Sequence, residues 1–417
     1  MKTKKSFLLR YFFVIPLIFS SLILMPGISS GMNANNGVSK YNINQSVKYQ
    51  VDINYTLTHI KNTPQNYYFK VARLNNRQPN SSLTQYTPPV QESELLYNSI
   101  IGWDSIYKGY LDKFNNTYDL FNASLTRGEI LRLSQRYNVT LNEIDFENIN
   151  DEDIGTYTPG DEIHDLYMVT EQYYNNTNPS LIALSNSIVN ALDNPIEKAR
   201  DLFNWVVSNI DYEIQGEELG AFVAYNQGIG DCSEYSDLLI TLLRIQGIPA
   251  RKITGFLVTN VANHQPKLGN KYVFDLNFDG VSLTTSYTNE ILGHAWLEYY
   301  VPGVGWIVCD PTWGNGYFNH IDFLRFNLNI GAWFFLPGSY PAQYLSEFSI
   351  NPASVTSDHS AYNYQYTIEL TVLNTAFTSS SSIPFMNIAI FSIIGLVSVS
   401  VLLKRKWSEK KIVLSEN

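Results

Sequence analysis

Cysteine is scarce. The 417-residue chain holds two, Cys232 and Cys309. At most one disulfide can form, so no disulfide framework holds the fold. Strand alternation turns Cys309 away from the cleft argued for below, so both thiols are expected to be free. Charge is scarce too: Asp, Glu, Lys and Arg make up 16% of the residues, against roughly 25% in ordinary soluble domains. The net charge is −10, and no Lys/Arg cluster lies outside the two ends. Such an acidic body offers no basic face to phosphates, which argues against nucleic acid as a partner. Aromatics, by contrast, are plentiful, with 29 Tyr.

The two ends carry the long apolar runs. Lys2, Lys4, Lys5 and Arg10 precede an apolar stretch over residues 11–25, broken by Pro26-Gly27 and followed by small residues. This reads as an export signal, or as an uncleaved anchor, over residues 1–30. Residues 383–403 hold no charge and are long enough to cross a bilayer. Lys404, Arg405, Lys406, Lys410 and Lys411 follow, which places that end in the cytoplasm and the body outside the cell. Asn44, Asn54, Asn80, Asn115, Asn122, Asn138 and Asn175 each open a glycosylation triplet, all before residue 180. The expectation is a single-pass cell-membrane glycoprotein.

Residues 46–58 and 361–373 alternate apolar with polar, the signature of half-buried strands that need a covering sheet. Between them, residues 111–120 and 128–137 read as short helices, and a short stretch from Gly128 resembles a LysM peptidoglycan-binding repeat. Asn178-Pro179 and Asn194-Pro195-Ile196-Glu197 each supply a helix cap and a first-turn proline. The second helix carries one apolar stripe, Ile196, Ala199, Leu202, Phe203, Val206, Val207 and Ile210, which is core. Another helix opens at Gly230-Asp231-Cys232-Ser233-Glu234-Tyr235 and stops at Gly247-Ile248-Pro249. Residues 250–258, 271–278, 294–300 and 305–310 read as strands. Helices followed by antiparallel strands make an α+β class.

Three side chains carry chemistry. A thiol attacks as thiolate, and a free pKa of about 8.5 leaves little of it at neutral pH. At the first turn of its helix Cys232 meets unpaired N–H groups and the positive end of the dipole, and a neighbouring imidazolium would add the larger share of activation. Asp231, the expected cap, opposes the thiolate. The Cys232 N–H is the first oxyanion donor, with the side chains of Gln227 or Asn226 as further candidates. His294 begins a strand, and the turn at Pro302-Gly303-Val304-Gly305 brings Asp310 back on the same side. Asp310 would then hold one ring nitrogen and leave the other for Cys232. Taken singly, each residue has a bland reading: a buried thiol, a structural His, an Asp-Pro turn. Together they read as nucleophile, base and orienter.

Gly230-Asp231-Cys232, Gly247-Ile248-Pro249-Ala250-Arg251, His294-Ala295-Trp296 and Asp310-Pro311-Thr312 together resemble the transglutaminase-like superfamily. Trp205 and Asn209-Ile210-Asp211-Tyr212 also fit, and the likeness covers roughly residues 178–315. It implies a papain-like core of helices plus an antiparallel sheet, with Cys232 as nucleophile, His294 as base and acid, and Asp310 as orienter. The superfamily holds cross-linkers, cysteine proteases and peptide glycanases, so it implies chemistry more than substrate. The chain then divides into the N-terminal signal or anchor (1–30), a β-rich region (40–125), a connecting region (126–177), a transglutaminase-like catalytic domain (178–345), a strand region (346–377), a Ser-rich tether (378–382), a membrane helix (383–403) and a basic cytoplasmic tail (404–417).

The stretch 259–290 is longer than such a core needs. Asp275 to Gly280 scans as the start of a calcium loop, but its twelfth position is Ser286 and not Glu, and the same residues read as a hairpin. No metal or other cofactor is expected. The expected partners are a protein or peptide substrate and, through the C-terminal helix, the membrane. The expected activity is thiol-dependent acyl transfer outside the cell, with water resolving the thioester. The alternatives are a protein cross-linker and a non-catalytic adhesion module on the same fold.

Overall fold

The computed structural model describes residues 40–74, 87–147, 149–215, 218–261, 264–280, 282–288, 291–331, 353–354 and 358–376. Six strands come first: β1 (Asn42–His59), β2 (Gln65–Ala72), β3 (Gln91–Ile101), β4 (Ser105–Leu111), β5 (Thr117–Leu125) and β6 (Ile130–Asp145). A helical stretch follows with α1 (Glu162–Tyr167), α2 (Pro179–Ile188), α3 (Pro195–Asn209), β7 (Asp211–Tyr212), α4 (Ala221–Gln227), β8 (Ile229–Gly230) and α5 (Cys232–Ile245). The chain then returns to strands: β9 (Ala250–Leu257), β10 (Lys271–Phe278), β11 (Leu283–Thr288), β12 (Leu292–Val301), β13 (Gly305–Cys309), β14 (His320–Ile321), β15 (Arg325–Ile330), β16 (Ala353–Ser354) and β17 (Tyr362–Ala376). The fold is α+β, with more strand than helix.

The two alternating segments at the ends of the body are β1 and β17, and they pair with each other. Val51, Ile53, Tyr55 and Leu57 stand opposite Leu370, Ile368, Tyr366 and Tyr364. A seven-stranded sheet grows from this pair in the order β11-β10-β17-β1-β6-β14, with β3 also on β6. It shares an apolar core with a four-stranded sheet, β16-β2-β5-β4. A second four-stranded sheet, β13-β12-β9-β15, packs against α2, α3 and α5 around a separate core.

Two sequence expectations are overturned. Residues 111–120 and 128–137 are not helical. The first stretch is the end of β4, a turn and the start of β5; the turn is made by Asp112, whose Oδ1 accepts from the Phe114 and Asn116 N–H groups at 2.9 Å. The second is the start of β6, where Leu131, Leu133, Tyr137, Val139 and Leu141 are buried at every second position. That two-residue period defeats the local helix preference, and it leaves no helix-turn there to match a LysM repeat.

The stretch 259–290 has a structural use. Its hairpin, β10 and β11, adds to the edge of the large sheet by pairing β10 with β17. Asp275 accepts from the Thr367 hydroxyl at 2.6 Å, and Asp279 from the Ser282 N–H at 2.7 Å. Both carboxylates are engaged in the sheet and its turn, as the hairpin reading expects.

Segments 1–30, 378–382, 383–403 and 404–417 lie outside the described residues, as does Asn80. Among the described residues no helix is long and apolar enough to cross a membrane. Asn44 and Asn54 are exposed; Asn115, Asn122, Asn138 and Asn175 are half-buried.

Candidate active site

The helix that carries Cys232 is fixed at both ends. Asp231 caps it, accepting from the Ser233 N–H at 2.9 Å, while Glu234 reaches back to the Asp231 N–H at 3.0 Å. At the far end Gly247 takes the left-handed conformation (φ 77°) and Pro249 follows. Ser233 through Arg244 are all buried, so α5 is the central helix of its core. Cys232 is the part-exposed residue at its mouth, and its thiol is free, as is that of the buried Cys309.

His294 lies on β12, opposite Gly255 of β9. On the other side β13 ends at Cys309, opposite Leu297, so β12 runs on beyond its neighbour. In that stretch the Ala295 N–H lies near enough to the Cys232 sulfur to favour its anion. Asp310 directly follows β13, and its Oδ2 accepts from the His294 Nε2 at 2.7 Å. With Nε2 so engaged, Nδ1 is the ring nitrogen left for other partners. The imidazole also stacks on Trp296, with centroids 5.9 Å apart. Sulfur, imidazole and carboxylate are thus gathered at one end of α5 and one edge of the sheet.

Asp310 also keeps its bland role: its Oδ1 accepts from the Thr312 N–H at 3.1 Å and caps the turn at Pro311–Trp313. The two oxyanion candidates, Asn226 and Gln227, are exposed on the last turn of α4. Trp306 is core, fully buried beneath the Arg251 guanidinium, which lies 3.7 Å from its ring centroid.

The electrostatics correct one expectation. The Cys232 thiol is not depressed. Burial pushes its pKa well up and Asp231 adds to this, against smaller opposing effects from the Ala295 N–H and Lys252. Asp231 is itself raised to about 7, first by burial and then by the charge of Glu234. Asp310 moves the other way. Burial alone would raise it, but His294 and Arg325 outweigh that and hold it below the usual carboxylate range.

Several neighbours escaped the sequence reading. The Arg325 Nε donates to Asp310 Oδ2 at 2.9 Å. Lys252, buried on β9, bonds Glu218 at 2.6 Å and Asp237 at 3.1 Å, tying the loop before α4 to α5 and β9. Leu219 N–H in the same loop donates to Glu234 at 2.7 Å. The available signal was charge inside apolar stretches: Asp237 just before Leu238-Leu239-Ile240, and Lys252 just before Ile253.

Residues 182–311 match the family model of the Transglutaminase-like superfamily. The chain carries a transglutaminase-like domain. Among curated relatives, an uncharacterized Bacillus subtilis protein, YebA, is 27% identical over 27% of this chain and 13% of its own length. An uncharacterized Haemophilus influenzae protein is 25% identical over 37% of this chain and 43% of its own. A Pseudomonas aeruginosa protein-glutamine gamma-glutamyltransferase is 32% identical over 20% of this chain and 10% of its own. The chain therefore spans less than half the length of each of these relatives. Among solved structures, a candidate cysteine protease from Cytophaga hutchinsonii aligns with 81% of this chain and 94% of its own, at 16% identity and a TM-score of 0.48. Red sea bream transglutaminase aligns with 62% of this chain and 48% of its own, at 11% identity and a TM-score of 0.21.

Proposed function

We propose that the transglutaminase-like domain is a thiol-dependent acyl-transfer enzyme that hydrolyses peptide or amide bonds in proteins. One observation carries the reading: the His294 imidazole is held 2.7 Å from Asp310, on the stretch of β12 whose Ala295 N–H lies near the Cys232 sulfur. Because burial and Asp231 disfavour the thiolate, the resting sulfur carries its proton. His294 Nδ1 takes that proton as the sulfur attacks the carbonyl, and Asp310 steadies the imidazolium through Nε2. The tetrahedral oxyanion is met by the Cys232 N–H at the first turn of α5, with Gln227 or Asn226 as the second donor. His294 then protonates the departing amine as the C–N bond breaks and a thioester remains. Water gives a proton to His294, its oxygen attacks the thioester, the acid product leaves and the thiol is restored.

A second reading, transfer of the acyl group to a lysine amine, is favoured by the description of the Pseudomonas relative. The terminal apolar segments and the basic tail add the proposal that the domain is held outside the cell by a single membrane span.

A membrane-impermeant alkylating reagent applied to intact cells tests these readings together. The expected result is labelling of Cys232 that disappears in Cys232→Ala and slows at least about tenfold in His294→Ala, the scale of a lost general base. New amino termini in a protein substrate then mark hydrolysis, and incorporation of a fluorescent primary amine marks transfer. Labelling indifferent to His294 would remove the catalytic reading. Labelling that needs lysed cells would remove the external location.

A further inference from the structure

On the strength of the proposed chemistry, we infer that Arg325 is a fourth, positioning member of the site, the group that fixes and charges Asp310 so that Asp310 can hold His294. The same oxygen, Oδ2, takes the His294 Nε2 at 2.7 Å and the Arg325 Nε at 2.9 Å. Arg325 cannot drift from this contact. Its Nη1 bonds Asp322 at 2.5 Å, Asp322 is bonded in turn by the Tyr317 hydroxyl at 2.6 Å, and the guanidinium lies 5.0 Å from the Trp313 ring and 4.5 Å from the Tyr317 ring. The Arg325 and Asp310 side chains are fully buried, so neither charge is screened by solvent.

A purely structural ion pair between Arg325 and Asp322 would explain burial and stacking, but not the choice of oxygen. Asp310 presents Oδ1 to the Thr312 N–H. The guanidinium instead shares the oxygen that orients the imidazole.

The sheet explains how Arg325 gets there. Residues opposite one another in an antiparallel ladder share a face. His294, Gly255 and Asn327 are such a row across β12, β9 and β15, and Arg325 lies two positions before Asn327 on the same face. At the centre of the row Gly255 contributes no side chain. The guanidinium can therefore run past the imidazole to the carboxylate at the end of β13. A register shift between Asn327 and Asn329 lets β15 close onto Gly255 there.

A consequence follows from a fixed cation on Asp310. It keeps the carboxylate ionised in a site whose burial favours the neutral acid. Loss of the cation should raise the Asp310 protonation point. The acid limb of Cys232 reactivity, below which a neutral Asp310 no longer steadies the imidazolium, should then move upward.

The test is the rate of Cys232 alkylation by iodoacetamide as a function of pH, in the full chain and with melting temperature measured in parallel. Arg325→Gln ends in an amide N–H near the position of Nε, the atom that meets Asp310, but removes the charge. The expected result is an acid limb moved up by about one pH unit, within the range for removal of an adjacent opposite charge, and a lower plateau rate. Asp322→Asn leaves the Nε contact to Asp310 in place and should keep the acid limb within about 0.3 unit of wild type, whatever it does to stability. A folded Arg325→Gln protein with the wild-type acid limb overturns the inference. If Arg325→Gln does not fold, Arg325→Lys decides. A single ammonium cannot serve both carboxylates as the fork does, so its plateau should fall, and a wild-type plateau overturns the inference. Failure of the underlying chemistry looks different: alkylation of the otherwise wild-type chain would then be indifferent to His294→Ala.

Discussion

Cys232, His294 and Asp310, the proposed site, stand out in the sequence because each is beside a punctuation mark: a helix cap, the start of an alternating strand, an Asp-Pro turn. The state of the thiol does not. Helix position alone predicts a depressed pKa, whereas burial, with the Asp231 charge already expected from the cap, pushes the pKa up. Burial depends on what packs over a residue, and that comes from distant parts of the chain. Arg325 was missed for the same reason, since its partner is fixed by the register of β15 and not by spacing. The Asp231 carboxylate gives a prediction with a definite sign. Its pKa is raised to about 7, so it is largely neutral below that pH and anionic above it, where it opposes the thiolate. Asp231→Asn keeps a capping oxygen for the Ser233 N–H but removes the charge. Alkylation of Cys232 in this variant should exceed wild type by roughly tenfold above pH 8, about one pKa unit of relief, and the two rates should converge near pH 5. A constant ratio across that range would show that the Asp231 charge does not govern the sulfur.

The elements were read best where one rule applied over many residues. The cap, proline and stripe of α3 were visible, and so was the alternation of β1 and β17. The reading failed over residues 111–120 and 128–137, where short apolar runs fit either period and only the covering sheet selects strand. Polar Gln135 illustrates the difficulty, because it interrupts the apolar face of β6 and yet is buried, donating to Asp119 at 3.1 Å. Gly255 is an element-scale feature that no local rule marks. A Cβ placed there would run into the Phe326 carbonyl of the adjacent strand, and relief would require separating β9 from β15. Gly255→Ala should therefore destabilise the protein by about 3 kcal/mol or more, at the upper end for overpacking. It should also slow Cys232 alkylation, because His294 and Arg325 lie on either side of that contact. Urea unfolding of the variant and the wild type checks the first expectation. A loss under about 1 kcal/mol would mean that the two strands part easily.

At the scale of the whole molecule, the likeness to a known family spans residues 182–311, but the described structure does not divide there. The β10–β11 hairpin arises inside that segment and pairs with β17, far beyond its C-terminal end. His320 and Ile321 pair with Asp145 and Ile144 of β6, before its N-terminal end. Phe256, Leu257, Phe326 and Leu328, from the sheet that carries His294, are buried in the core of the flanking strands. A transglutaminase-like segment cut out at 178–331 would thus expose at least these large apolar side chains, each worth about 1.5–3 kcal/mol when buried, and would leave β10 without β17. That loss is comparable with the whole stability of many domains, about 5–15 kcal/mol. Residues 40–376 should unfold in one sharp thermal transition, while the 178–331 fragment should show a broad, weakly cooperative melt and no His294-dependent labelling of Cys232. Calorimetry on the two proteins decides the matter: a fragment melting as sharply and as high as the longer chain would mean that the flanking sheets are appended to the site and do not hold it together.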